Sequence, residues 1–480
     1  MKNVYYIFLF LVFLLGVCVR FDFYAYNRPL WHDECSLALS IINKNIFGYF
    51  GLLEHNQSAP PLFMAITKLF SLLFGIKEYV LRLLPLLGGI LSIPAFYYFS
   101  KLFIHNKWYL LLASLLFSIN YRLIYYSQEF KQYSLDVFLF IISFIFLSKI
   151  DINELSHKKI LTLGFILGLL SMFSIPISFL ILGYLLFQSI IYKKNIFKKL
   201  AFFFTPIGII WIFYLFSVIL PQHAQKLILD GSFWDKGFIS LSITQIIQLF
   251  KMNLSYFFYP NKFILCQLIL LLIGVYYLIK NCKTKIHTFL LCTFGFIFLA
   301  SIFRIYPLHE RVCLYLIPIN LILFFLPFNY VKHRLTYILS LVLLFAGFCN
   351  YNLTYLKNFQ NEKLFMSYDA RTAMQDLISN YKNSNSYIIV NAASDSEFNY
   401  YKKYFNFTPQ NILYTQLPTY SKNIYFSALD SLPLNYDYWF YMAYDYSHSP
   451  VKSFLKEWSK KHTILYESDV NGTYLLHIKK

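Results

Sequence analysis

Three short stretches of this chain gather residue types able to do acid–base and phosphate chemistry. The first, Arg28-Pro29-Leu30-Trp31-His32-Asp33-Glu34, sets two adjacent carboxylates just after the first apolar run. A carboxylate held at a surface can take a proton from an attacking hydroxyl, a role worth roughly 10²–10⁴ in rate. The plainer role for Asp33 is to cap the helix that follows. The second stretch, Tyr125-Tyr126-Ser127-Gln128-Glu129-Phe130-Lys131-Gln132-Tyr133, crowds Glu129, Lys131 and Tyr133 into a short aromatic loop. It reads either as a polar site or as an aromatic belt with a snorkelling lysine. The third, Tyr306-Pro307-Leu308-His309-Glu310-Arg311, delivers His309 and Arg311 to the start of an apolar helix. An arginine entering lipid is costly and calls for a partner, either a phosphate at headgroup depth or the adjacent Glu310. Arg82 stands in the same way at the start of an earlier apolar run.

The rest of the chain must position these groups, and most of it is lipid-soluble. Of its 480 residues 58% are hydrophobic and only 14% charged, against about a quarter charged in a soluble domain. A spanning helix takes about 20 apolar residues. Candidate spans run roughly over 4–20, 81–103, 108–125, 135–150, 160–174, 176–192, 200–220, 262–280, 287–303, 312–328 and 335–350. This predicts a mainly α polytopic membrane protein with about 11 transmembrane helices. The first span lacks a small-residue cleavage site and reads as an uncleaved anchor.

Orientation follows from the basic loops. Those holding Lys101 and Lys107, Lys158 and Lys159, Lys193 to Lys199, Lys280 to Lys285, and Lys332 and Arg334 alternate with less basic ones. Placing them in the cytoplasm puts the N-terminus inside, and 21–80, 126–134, 220–260, 304–311 and the chain from 351 outside. Residues 60–75 are apolar but short, open on two prolines and enclose Lys68. They are expected to lie along the interface rather than cross it, as is an amphipathic helix over 33–46. Residues 1–350 then form the membrane part. Residues 351–480 form a small α/β domain, with helices over 368–381, 395–404 and 450–459, strands over 386–390, 424–427 and 438–444, and a hairpin of 464–467 with 473–478.

Composition and motifs also exclude functions. The formal charge of +19 reflects loop asymmetry in such a protein, so no nucleic acid partner is expected. The seven cysteines form neither a disulfide framework nor a CxxC pair. No P-loop, Rossmann glycine pattern or zinc motif is present, which leaves no site for a nucleotide donor. A transporter or flippase of lipid-linked glycans would show ionisable residues deep in the membrane and repeated helix sets; the spans are nearly free of charge and no repeat appears. A ligase or polymerase of lipid-linked glycans stays open, although 220–260 lacks the arginines expected of it.

At these places the chain resembles the GT-C membrane glycosyltransferases of the protein O-mannosyltransferase and aminoarabinose-transferase type. Trp31-His32-Asp33-Glu34 looks like the acidic pair of their first outer loop. Ser58-Ala59-Pro60-Pro61-Leu62-Phe63 looks like their His-Pro-Pro-Leu element, and Arg82-Leu83-Leu84-Pro85 like the Arg-Leu-Pro that opens the next span. Tyr126 to Tyr133 is similar to their Tyr-Ser-Gln-Glu-Ala-Arg-x-Tyr loop, and Tyr306 to Arg311, leading to Pro318, to their late arginine segment. Ala59 replaces a histidine and Lys131 an arginine; Lys keeps the charge but loses bidentate geometry. The resemblance implies inverting transfer of a sugar from a polyprenyl phosphate to a hydroxyl of a cell-envelope acceptor, at the outer face of a bacterial inner membrane. It implies Asp33 as base, Glu34 and Glu129 as orienting groups, and Lys131, Tyr133, Arg311, Arg82 and His309 about the donor phosphate. No clear ligand set appears, so no obligatory metal is expected, although some relatives use a divalent cation.

Overall fold

The computed structural model describes residues 2–480 except 193–195, 222–235, most of 240–263, most of 332–368, 382–385, 416–420, 444–449 and 471. The expected span over 335–350, most of the loop 220–260 and the junction at 350 lie outside the described residues. Among the described residues five helices are long and apolar enough to cross a membrane: Asn3–Ala25, Leu83–Ser100, Phe197–Ile219, Lys285–Ile302 and Arg311–Tyr330. Shorter apolar helices include Lys107–Ser118, Tyr133–Ser148 and Pro176–Tyr192. This is a multi-pass membrane protein.

The chain begins with α1 (Lys2–Ala25) and α2 (His32–Asn43). Trp31, in extended conformation, opens α2, and Asp33 and Glu34 occupy its first turn, where carboxylates suit the helix dipole. Helix α3 (Pro61–Phe74) starts on proline and stops at Gly75, whose φ of +83° only glycine adopts without strain. Helices α4 (Glu78–Leu81) and α5 (Leu83–Ser100) break at Arg82. The expected span 108–125 is also two pieces, α6 (Lys107–Ser118) and α7 (Tyr121–Tyr126). Asn120 interrupts it, its side chain accepting from the Leu123 amide at 3.2 Å. Then come α8 (Tyr133–Ser148), α9 (His157–Ser171), α10 (Pro176–Tyr192), α11 (Phe197–Tyr214), α12 (Ile264–Lys280) and α13 (Lys285–Ile302). A 3₁₀ turn, Glu310–Leu316, leads into α14 (Ile317–Phe325).

Two sets of loops separate. Lys285 pairs with Asp151 at 3.8 Å, Lys199 bonds to the Asn153 carbonyl, Asn281 donates to the Tyr330 hydroxyl, and Asn329 donates to the Phe103 carbonyl. The basic loops thus meet at one end of the bundle. The stretches holding Asp33, Gln57, Arg82, Lys131 and Arg311 meet at the other. Gln57 precedes α3 and Arg82 follows it, so α3 begins and ends at the same end.

The C-terminal region is α15 (Ala370–Asn380), β1 (Ser386–Val390), α16 (Asp395–Tyr404), β2 (Ile412–Tyr414), α17 (Lys422–Asp430), β3 (Asp437–Met442), α18 (Val451–Ser459), β4 (Thr463–Val470) and β5 (Thr473–Lys479). The sheet order is β2-β1-β3-β5-β4, with β1 parallel to β2 and β3, and β5 antiparallel to β3 and β4. The parallel pairs take helical crossovers, as they must. The strand expected over 424–427 is instead the middle of α17. Tyr425 and Leu429 bury one face at the i, i+4 spacing of a helix, a short apolar run that periodicity alone leaves ambiguous. The short strand β2 was not anticipated.

Candidate active site

Asp33 lies where three loops converge. Its Oδ2 is 3.1 Å from an Arg311 guanidinium nitrogen and 3.4 Å from Lys131 Nζ. Gln57 donates Nε2 to Asp33 Oδ1 at 3.3 Å and accepts from Lys131 Nζ at 2.8 Å. The Asp33 side chain keeps 15% of its surface and Arg311 18%, whereas Lys131 keeps 4%. The carboxylate and the guanidinium therefore face an opening, and the ammonium backs them. Arg311 also stands over the Trp31 ring, 5.3 Å from its centroid. Its Nε is buried with no hydrogen-bond partner among the described residues.

Glu34, one residue on, belongs to a different structure. Helical geometry turns its side chain about 100° from Asp33 and buries it completely. Arg82 grips it with two hydrogen bonds, Nε to Oε1 at 2.8 Å and Nη2 to Oε2 at 2.6 Å. The Phe130 amide adds a third at 2.6 Å. Arg82 also donates to the Arg28 and Pro29 carbonyls, at 2.5 and 3.1 Å. This one pair therefore ties together the entry to α2, the break before α5 and the loop that carries Lys131.

Glu129 is buried beside both groups. Its nearest described cation is Arg28, at 3.8 Å, and its Oε1 has no partner among the described residues. Arg28 lies over the Tyr125 ring, 4.4 Å from its centroid. Tyr133 packs edge-on to Tyr126 at 5.5 Å and lies within electrostatic reach of Arg311. His309 is buried at the start of the 3₁₀ turn that presents Arg311.

Two glycines let these parts meet. A Cβ on Gly89 would fall 2.5 Å from Ser127 Cβ, and one on Gly88 2.8 Å from the Leu135 backbone. Helix α5 thus lies against both ends of the loop that holds Glu129 and Lys131.

The electrostatics divide the carboxylates. Burial pushes Asp33 up, but Lys131, Arg311 and His32 outweigh it and hold the carboxyl below its ordinary value. Burial also opposes ionisation of Glu34, and Arg82, Arg28 and the Phe130 amide overcome it. For Glu129 burial wins over Arg28, and neighbouring Glu34 adds to it, so the carboxyl is pushed up to about 7. Burial holds the Lys131 ammonium below the ordinary lysine value, against the pull of Asp33. The arrangement is a carboxylate and a guanidinium at an opening, with a buried ammonium, a fixed ion pair and a proton-holding acid behind them.

Sequence reasoning did not single out Gln57, nor assign Arg28 a role; neither residue type signals chemistry alone. It also treated the spans as nearly free of charge, yet Arg20 in α1 and Asp136 in α8 are buried there. Among the described residues no three His, Cys, Asp or Glu side chains lie together as a metal site.

Two solved structures match nearly the whole chain. ArnT from Cupriavidus metallidurans in the apo state covers 97% of this chain and 97% of its own, with TM-score 0.58 and 11% identity. The same protein bound to undecaprenyl phosphate covers 99% of this chain and 97% of its own, with TM-score 0.50 and 10% identity. The chain has the ArnT fold. This is a polytopic, mainly helical architecture with a small C-terminal sheet region. No family profile and no curated protein matches the sequence.

Proposed function

We propose that this chain is an inverting glycosyltransferase that moves a sugar from a polyprenyl phosphate to a hydroxyl of a cell-envelope acceptor. The observation that carries the reading is the partly exposed Asp33 carboxylate held between Arg311 and Lys131. The undecaprenyl phosphate bound by the ArnT neighbour supports the class of carrier. In this reading the membrane is a bacterial inner membrane, residues 1–350 are catalytic, and 351–480 form an extracytoplasmic domain over the site.

The chemistry follows from the charges. In the free protein Arg311 and Lys131 stabilise ionised Asp33 and so make it a weak base. An arriving donor phosphate competes for both cations, and Asp33 regains proton affinity as they turn to it. The acceptor hydroxyl oxygen then bonds to the anomeric carbon while its proton passes to Asp33. The bond from that carbon to the phosphate oxygen breaks, and its electron pair leaves with the polyprenyl phosphate. Arg311 and Lys131, already fixed, meet the charge that develops there. Tyr133 and His309 line the phosphate side. Glu34 and Arg82 keep the loops in register, and Glu129 sets the field behind Lys131.

The test is transfer from radiolabelled polyprenyl-phosphate sugars in membranes, wild type against Asp33→Asn. Label reaching an envelope acceptor only with the wild type is the expected result. Undiminished transfer by the variant would remove Asp33 from the chemistry and the reading with it.

A further inference from the structure

The end of the bundle opposite Asp33 carries a second basic site. Helix α5 leads from Arg82, at the Asp33 end, to Ser100. Its 18 residues at about 1.5 Å each span some 27 Å, close to the hydrocarbon thickness of a bilayer. Just past its last turn, between the ends of α1, α5 and α6, is a cleft of about 410 Å³. Lys101, His105 and Lys107 line it together with Tyr5, Tyr6 and Tyr97, and no carboxylate is among the lining residues. Among the described residues neither lysine has an ion pair. Lys107 Nζ stands 6.0 Å from the Tyr5 ring centroid and 5.8 Å from that of Trp108.

We propose that this cleft binds the phosphodiester headgroup of an anionic glycerophospholipid, at the membrane face opposite the transfer site. Two lysines supply point charges for a phosphate, and the histidine adds a ring N–H donor. Tyrosine rings with polar tips suit headgroup depth. The volume falls in the range of small-molecule sites, and basic pockets between spanning helices take lipid headgroups. Below the cleft α1 and α5 present exposed apolar side chains, Phe10 and Leu91 among them, against which acyl chains can lie. A soluble phosphate ester would have no use for that surface.

Native mass spectrometry of the full-length protein, with phosphatidylglycerol and phosphatidylcholine as probes, tests this without reference to transfer. The wild type is expected to retain phosphatidylglycerol over phosphatidylcholine. Lys101→Gln/Lys107→Gln should bind phosphatidylglycerol roughly 30-fold more weakly, the effect of removing two lysines beside an anionic lipid. Lys101→Arg/Lys107→Arg should restore it. Binding should persist in Lys131→Gln/Arg311→Gln, which strips cations from the other end. Undiminished binding in Lys101→Gln/Lys107→Gln, loss in Lys131→Gln/Arg311→Gln instead, or equal retention of phosphatidylcholine would each overturn the proposal. So would displacement of the lipid by millimolar inorganic phosphate, which would make the cleft a soluble-anion site.

Discussion

Asp33 and Glu34 are adjacent in the chain and opposite in circumstance. Glu34 is sealed, with hydrogen bonds to Arg82 and the Phe130 amide. Asp33 faces an opening between two cations, one of which keeps a donor with no partner among the described residues. One helical step of rotation separates a carboxylate that builds from a carboxylate that can react. A saturated ion pair resists change because each partner would strand the other in low dielectric. A carboxylate shared between two cations yields as soon as another anion offers itself.

Breaking the sealed pair should have the larger effect on folding. Arg82→Ala leaves the Glu34 charge buried and unpaired, at a cost of about 3–5 kcal/mol. The expected readout is a lower thermal midpoint and less folded protein in detergent. Adding Glu34→Gln should recover part of the loss by removing the stranded charge. Asp33→Asn should leave the midpoint nearly unchanged while transfer falls by roughly 10²–10⁴. If Asp33→Asn unfolds the protein as readily as Arg82→Ala, the contrast between the neighbours is wrong.

The cations sharpen the contrast on the reactive side. Removing one fixed donor from a developing charge costs about 10²–10³ in rate, which is the loss expected for Lys131→Gln. Lys131→Arg should keep most transfer, because charge and reach survive. Arg311→Lys should lie between them, since it gives up the fork toward phosphate and the stacking on Trp31. Steady-state rates on one donor check the order Lys131→Arg, Arg311→Lys, Lys131→Gln from fastest to slowest.

Much of this was open to reading before any geometry. Apolar run lengths marked most of the described apolar helices, and turn residues with apolar periodicity marked 395–404 and the 464–478 hairpin. The three polar stretches also pointed to one end of the membrane. What stayed hidden depends on partners distant in sequence. Nothing local separates Asp33 from Glu34, because Arg82 and Arg311 decide their fates. Gln57 is an ordinary amide until Lys131 and Asp33 meet it. Strand β2 is three residues long and largely exposed, so it has no pattern of burial to betray it. The contact of His32 with Glu397 joins residues 365 positions apart.

Glu129 gives the pH dependence. Its folded-state value is about 7, raised from an ordinary 4.5 by burial. A raised carboxyl binds its proton more tightly when folded, so folding stability falls as pH rises from about 4.5 through 7. Glu129→Gln cannot lose that proton and should flatten this decline, seen as thermal midpoints that converge below the window and part above it. The transfer profile of the variant should lose any limb near neutrality. A variant that keeps the wild-type decline would assign it to another group.

The smallest effect concerns how the C-terminal region reaches Asp33. His32 Nδ1 lies 3.2 Å from the buried Glu397 carboxylate and 2.9 Å from Ser396 Oγ, so the residue preceding Asp33 is fastened to α16. Burial lowers the imidazole's proton affinity, but Glu397, then Asp33, outweigh it and leave the value above 6.5. This contribution is fully present below 6.5 and is lost as pH rises through the folded value. His32→Gln can still bond to Ser396 but cannot carry charge. It should cost little at alkaline pH and about 1 kcal/mol at pH 6, in the range of a hydrogen bond to a charged group after some solvent screening. Transfer should fall only a few-fold, with the acceptor KM moving more than kcat if α16 helps to frame the acceptor. An equal loss at both pH values would mean that His32 holds α16 by packing alone, and the charge between the two regions would count for nothing.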